Sequence, residues 1–102
     1  MKKEKIQSLV IIARRWFNRS RGSTYHSVVV IVNGKSIGKS DFTYGYSDAY
    51  MQTAHSILEK NGYFKDKPAR QGYYLMYDWM RKNPAKSVTT VTDVSTKKDL
   101  KM

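Results

Sequence analysis

Hydrophobic and polar positions alternate with two different periods along this chain. Val28-Val29-Val30-Ile31-Val32 is an unbroken apolar run inside a β-branched stretch. Such a run predicts a strand over residues 24–32, buried on both faces and central in its sheet. Asn33-Gly34 follows, and that dipeptide accepts positive φ at both central positions of a type I′ hairpin turn. The returning strand is expected over 35–44. A two-residue loop sets Val30 opposite Ile37 and His26 opposite Asp41, with Gly38 and Gly45 marking a bulge and the strand's exit. Residues 6–17 fit two patterns. Ile6, Leu9, Val10, Ala13 and Phe17 share a helical face, yet β-branched Val10-Ile11-Ile12 and the turn-rich Asn18-Arg19-Ser20-Arg21-Gly22-Ser23 favour a strand.

The second half of the chain changes period. Ser47 and Asp48 suit a helix start. Tyr50, Ala54, Ile57 and Leu58 then form a stripe at helical spacing, and Lys60-Asn61-Gly62 suits a helix end. Pro68 fits the first turn of a second helix, which Asn83-Pro84 stops. Tyr73, Met76, Tyr77 and Met80 line one of its faces, and Gly72 weakens it by about 1 kcal/mol relative to Ala. Val88, Val91 and Val94 predict a last strand over 87–94, at a sheet edge. The expected fold is α+β in the order β-β-β-α-α-β: an antiparallel sheet of three to four strands with two helices packed on one face. It forms a single domain over 1–102, with frayed ends at about 1–5 and 95–102.

Composition changes this picture in one respect. Hydrophobic residues make up 40% and charged residues 26%, which suffices for a small core. The balance of charge, however, is far from neutral: 19 Lys and Arg oppose 8 Asp and Glu, a net +11. That field opposes compaction and attracts polyanions, so nucleic acid, DNA or RNA, is the expected partner. A merely solubilising surface is the competing explanation. Cysteine is absent, which excludes disulfides, thiolate metal sites and a cysteine nucleophile, and accords with a cytoplasmic setting. Leu9-Val10-Ile11-Ile12-Ala13 is too short for a secretory signal and ends at Arg14-Arg15. No apolar stretch is long enough to span a bilayer, so no membrane partner is expected.

The candidate binding residues follow from charge and aromatic content. Arg14, Arg15, Arg19 and Arg21 crowd around Trp16 and Phe17. Arginine forks grip phosphate and aromatic rings stack on bases. In an extended strand Arg14 and Trp16 share one face, while Arg15 and Phe17 share the other. Of eight tyrosines, Tyr25, Tyr44 and Tyr74 are expected to be partly exposed. Lys35 and Lys39 add phosphate contacts on the hairpin. The candidate set is therefore Arg14, Arg15, Trp16, Arg19, Arg21, Tyr25, Lys35, Lys39 and Tyr44. Gly34-Lys35-Ser36 and Gly38-Lys39-Ser40 evoke a P-loop, but Asn33 stands where glycine is needed and a strand follows in place of a helix. His26 and His55, with Asp41 opposite His26, suggest the acid–base pair of a small ribonuclease, although nothing brings the imidazoles together. No metal-ligand spacing occurs. The expectation is a non-enzymatic nucleic-acid-binding protein without cofactor. The alternatives are a protein inhibitor of a host defence nuclease and a small ribonuclease. The last strand's open edge would permit a homodimer.

Residues 25–62 run strand, Asn-Gly turn, strand, helix. The segment Val28-Val29-Val30-Ile31-Val32-Asn33-Gly34-Lys35-Ser36-Ile37-Gly38 resembles the second half of a double-stranded-RNA-binding domain. Such domains carry phosphate-binding lysines at the start of the final helix. Tyr46-Ser47-Asp48-Ala49-Tyr50 has none there. Ala13-Arg14-Arg15-Trp16-Phe17, Thr24-Tyr25-His26-Ser27 and Tyr44-Gly45-Tyr46 together look similar to small accessory proteins of tailed phages. That likeness implies a nucleic-acid binder or an anti-defence inhibitor acting in the host cytoplasm.

Overall fold

The structure is a computed structural model that describes residues 5–45, 49–65 and 69–101. Strand β1 (Leu9–Asn18) and β2 (Ser23–Val32) form a hairpin, and β3 (Lys35–Tyr44) returns beside β2. Helices α1 (Ala49–Lys60) and α2 (Ala69–Lys82) carry the chain to a short 3₁₀ turn (Pro84–Lys86) and β4 (Ser87–Val94). A second 3₁₀ turn spans Lys97–Leu100. The sheet order is β3-β2-β1-β4, so β2 is central, as its continuous apolar run requires, and β4 lies at an edge. The fold is α+β. Ser47, Asp48 and Pro68, read above as helix starts, and the first four residues lie outside the described residues.

Two features of the sheet depart from the expectation. First, β4 joins β1 in parallel, with Leu9 beside Ser87 and Trp16 beside Val94, so the sheet is mostly antiparallel with one parallel edge. Alternation of side chains reads the same in either direction; the path of the two-helix crossover sets the polarity. Second, the β2–β3 register slips twice. Asn33 (φ 54°) and Gly34 (φ 79°) form the positive-φ turn, and Val32 faces Lys35 as expected. Irregularities between Val30 and Ile31 and between His26 and Val28 then put Val30 opposite Gly38 and His26 opposite Thr43. Each inserts one residue into β3, as a β-bulge does. Asp41 therefore does not face His26.

Strand alternation separates the two faces of the sheet. Leu9, Ile11 and Ala13 from β1 and Val28, Val30 and Val32 from β2 point to the helices. There they form the core with Met51, Ala54 and Leu58 of α1 and Met76 of α2. The centre of α1's buried face falls on Met51, Ala54, His55 and Leu58; Tyr50 and Ile57 pack at its margin. Gly62 ends α1 at φ 86°. Its N–H donates to the Glu59 carbonyl at 2.9 Å, and the Tyr63 N–H donates to the Leu58 carbonyl at 2.9 Å. This is a Schellman termination.

Gly72 is a structural requirement of the helix pair. His55 Nε2 lies 3.0 Å from the Phe64 carbonyl oxygen, and a Cβ on residue 72 would fall on that carbonyl and lie 2.9 Å from His55 Nε2. Only glycine lets α2 approach this closely.

Candidate nucleic-acid interface

The face of the sheet away from the helices is built in two halves. Near the Asn33-Gly34 turn it carries half-buried Val10, Ile12, Val29 and Ile31, and exposed Val88. Toward the β1–β2 turn it carries aromatic rings. Trp16 of β1 stacks on Tyr25 of β2 (centroids 5.8 Å apart, planes at 27°). Tyr25 stacks in turn on Phe42 of β3 (4.5 Å, 15°), and Tyr44 meets Tyr25 edge-on at 5.7 Å. Neighbouring strands stand about 4.8 Å apart, so aromatic residues on three adjacent strands stack as a ladder across them.

The chain beyond β4 folds back over this ladder. A frayed polar tail was expected from residue 95; the structure instead docks Lys97–Leu100 on the open face. Leu100 is 1% exposed. Arg14 Nη1 donates to the carbonyls of Asp99 (3.0 Å) and Lys101 (2.7 Å), and Lys97 Nζ sits 4.8 Å from the centre of the Phe42 ring, a cation–π contact. Beside Arg14, Ser27 is fully buried, and its hydroxyl has no hydrogen-bond partner among the described residues. Leu100 supplies the apolar anchor and Arg14 the polar clasp, so the last turn is held at both kinds of contact.

Between this docked turn and the β1–β2 turn runs a groove. One section, of about 530 Å³, is lined by Trp16, Phe17, Asn18, Arg19, Ser20, Asp93, Val94 and Ser95. A second shares Trp16 and Asn18 with it and adds Arg21, Tyr25, Phe42 and Lys97. A third shares Phe42 and Lys97 with the second and adds Asp41, Thr96, Lys98 and Lys101. Through these shared residues the sections make up a trough that touches all four strands, and the first of them reaches the helix-side residues Phe17 and Asp93. Its floor is aromatic, and its walls carry Arg19 and Arg21 on one side and Lys97, Lys98 and Lys101 on the other. Of the acids around it, Asp93 is matched by Arg15 (Nε 2.9 Å away) and Asp41 by Lys39 (Nζ 3.6 Å away), while Asp99, on the docked turn, accepts from the Thr96 hydroxyl at 2.9 Å. On α2 the cations behave differently, because Arg81 and Lys82 both pair with Asp78.

The structure thus divides the residues singled out from sequence. Trp16, Arg19, Arg21 and Tyr25 line the trough, and Tyr44, 64% exposed, flanks its ladder. Arg14 is spent on the docked turn. Arg15 lies on the helix-side face with Phe17, bound to Asp93. Lys39 borders the trough at Asp41. Lys35 stands at the opposite end of the long β2–β3 hairpin from Arg21, about 30 Å away by strand rise. Tyr74 is exposed, but on α2. Sequence reasoning missed Phe42, Lys97, Lys98 and Lys101. Phe42 had a readable signal, since hairpin pairing places it near Tyr25. The lysines had none, because a short polar segment after a strand gives no cue that it docks.

Both histidines are built into the helix side. His26, 1% exposed, has Nε2 2.7 Å from Thr53 Oγ1 and Nδ1 3.4 Å from the Gly45 carbonyl. In the neutral ring Nδ1–H donates to that carbonyl and Nε2 accepts from Thr53. Burial pulls its pKa below the usual histidine value, partly offset by the Gly45 contact. His55 is held by Phe64 and stands edge-on to Tyr73. Each imidazole is thus engaged by its own partners. Among the described residues no cluster of three or more His, Asp or Glu could hold a metal ion, and no helix is long and apolar enough to cross a membrane. No protein-family model, curated protein or solved structure matches the chain.

Proposed function

We propose that this protein binds nucleic acid in the trough on the open face of its sheet. The observation that carries the reading is the convergence of five cations from two separate segments on one set of stacked aromatic rings, with Asp93 and Asp41 each paired to another cation. Arg19 and Arg21 approach a phosphate chain from the β1–β2 turn, and Lys97, Lys98 and Lys101 approach it from the docked turn. Each phosphate so neutralised releases condensed counterions, so affinity falls with salt. Five contacts to a nucleic-acid strand imply a drop of roughly a hundredfold between 50 and 200 mM salt. Fluorescence anisotropy with a labelled random-sequence oligonucleotide measures this directly. Replacing Lys97, Lys98 and Lys101 together by Ala is expected to weaken binding at least tenfold and to flatten the salt slope. An affinity indifferent to salt would overturn the reading.

One observation favours a second reading, a protein inhibitor of a nuclease acting by protein–protein contact. The apolar half of the open face, with Val10, Ile12, Val29, Ile31 and Val88, lies directly beside the cationic half. Apolar area rimmed by charge is a common form of protein interface. This reading predicts a stoichiometric complex that survives nuclease treatment, together with negligible affinity for free DNA or RNA.

A further inference from the structure

We infer that the ligand of the trough is a single strand, and that a duplex of the same length binds poorly. This rests on the nucleic-acid reading above and adds strandedness to it. Three features of the groove carry the inference.

The first is the floor. Trp16 lines two sections of the trough, and Tyr44 stands 64% exposed beside the ladder. Tyr25 is sandwiched between Trp16 and Phe42, while Phe42 carries Lys97 over its ring. The rings left for a ligand are therefore Trp16, at one end of the ladder, and Tyr44, at its flank. A ring can stack only on a base whose face is free, and in a duplex interior both faces are covered by neighbouring pairs. A single strand offers every base face, and such stacking is tolerant of sequence.

The second is the shape. The trough is a depression between two walls, the β1–β2 turn and the docked Lys97–Leu100 turn. A concave channel with cations on opposite walls encloses one backbone. The third is the length. Four strands at about 4.8 Å spacing make a track of about 15 Å, enough for up to about four stacked nucleotides. Trp16 on β1 and Tyr44 on β3 stand two strand spacings apart, about 10 Å, and each takes a base, while Arg19, Arg21 and the three lysines hold the phosphates.

The test uses the full chain with labelled 12-nucleotide single strands, DNA and RNA, and with 12-base-pair duplexes, read by anisotropy at 50 mM salt. One or both single strands are expected to bind at least tenfold more tightly than either duplex. Tyr44→Ala is expected to cut single-strand affinity about tenfold and leave duplex affinity unchanged. In a Trp79→Phe background the remaining Trp16 reports on the floor directly, and its fluorescence should be quenched by the single strand and not by the duplex. Duplex binding equal to or tighter than single-strand binding, without Trp16 quenching, would overturn the single-strand inference and leave the nucleic-acid reading standing. Absence of binding to all four probes would sink both.

Discussion

The two faces of the sheet are held together by different physics. The helix side is an ordinary core of Leu, Ile, Val and Met, closed by two helices that meet at a glycine. Among the described residues no α-helix covers the open side; an aromatic ladder, an arginine clasp and the buried Leu100 hold it instead. Apolar burial is cooperative, so damage to the first face should be felt through the whole molecule. The second face is a set of local contacts, and damage there should stay local.

Gly72→Ala gives the sharpest break. Helix propensity alone says that alanine gains about 1 kcal/mol. The contact with the Phe64 carbonyl says the reverse, because the added methyl meets backbone and displaces the His55 bond. We expect a loss of about 3 kcal/mol or more, measured by urea denaturation; a gain in stability would contradict the close approach of the helices. A matched pair of substitutions comes next. Leu58→Ala, in the main core, should cost about 2–5 kcal/mol of global stability. Leu100→Ala should cost less, about 1–2 kcal/mol, because the docked turn releases while the four strands stay paired. Hydrogen exchange separates the two: the first variant speeds exchange everywhere, the second only near residues 97–101 and the adjoining open face.

The smallest expected effect comes from acid. Folding lowers the His26 pKa through burial. The unfolded ring, with its pKa near 6.5, therefore takes up a proton at a pH where the folded ring remains neutral. Stability from this group is intact above about pH 6.5 and declines as pH falls from there toward the depressed folded pKa. Replacing His26 by Gln should flatten that part of the stability–pH curve. An unchanged curve would mean that the helix side does not hold the ring neutral.

The same contrast explains what was readable in the sequence. On the helix side, period and turn chemistry sufficed: Val28 to Val32 marked the central strand, Asn33-Gly34 its turn, and Gly62 the end of α1. What failed there was fine register, since a bulge is a local choice of β3 that leaves the apolar pattern intact, and it moved Asp41 away from His26. The stripe on α1 was also centred slightly off, because His55 is buried by a bond to Phe64 that periodicity does not reveal. On the open side, Trp16, Tyr25 and Tyr44 were legible as aromatic residues beside cations. Their joining with Lys97, Lys98 and Lys101 was not, for it depends on Arg14 capturing carbonyls 85 and 87 positions away. Charge composition pointed to a polyanion; tertiary docking decides which cations line the trough.

The parallel seam between the first and last strands also bears on how the molecule is made. Arg15 and Asp93 meet across 78 positions, so an emerging chain can zip its first three strands into a meander long before the partner for the outer edge of β1 exists. During translation that edge stays bare, with Leu9 to Ala13 on offer to any other extended segment. Closure waits for β4 and the turn after it, and these also bring the lysines of the groove. Completion of the sheet and completion of its cationic wall are thus coupled, because one contiguous segment downstream of the helices supplies both.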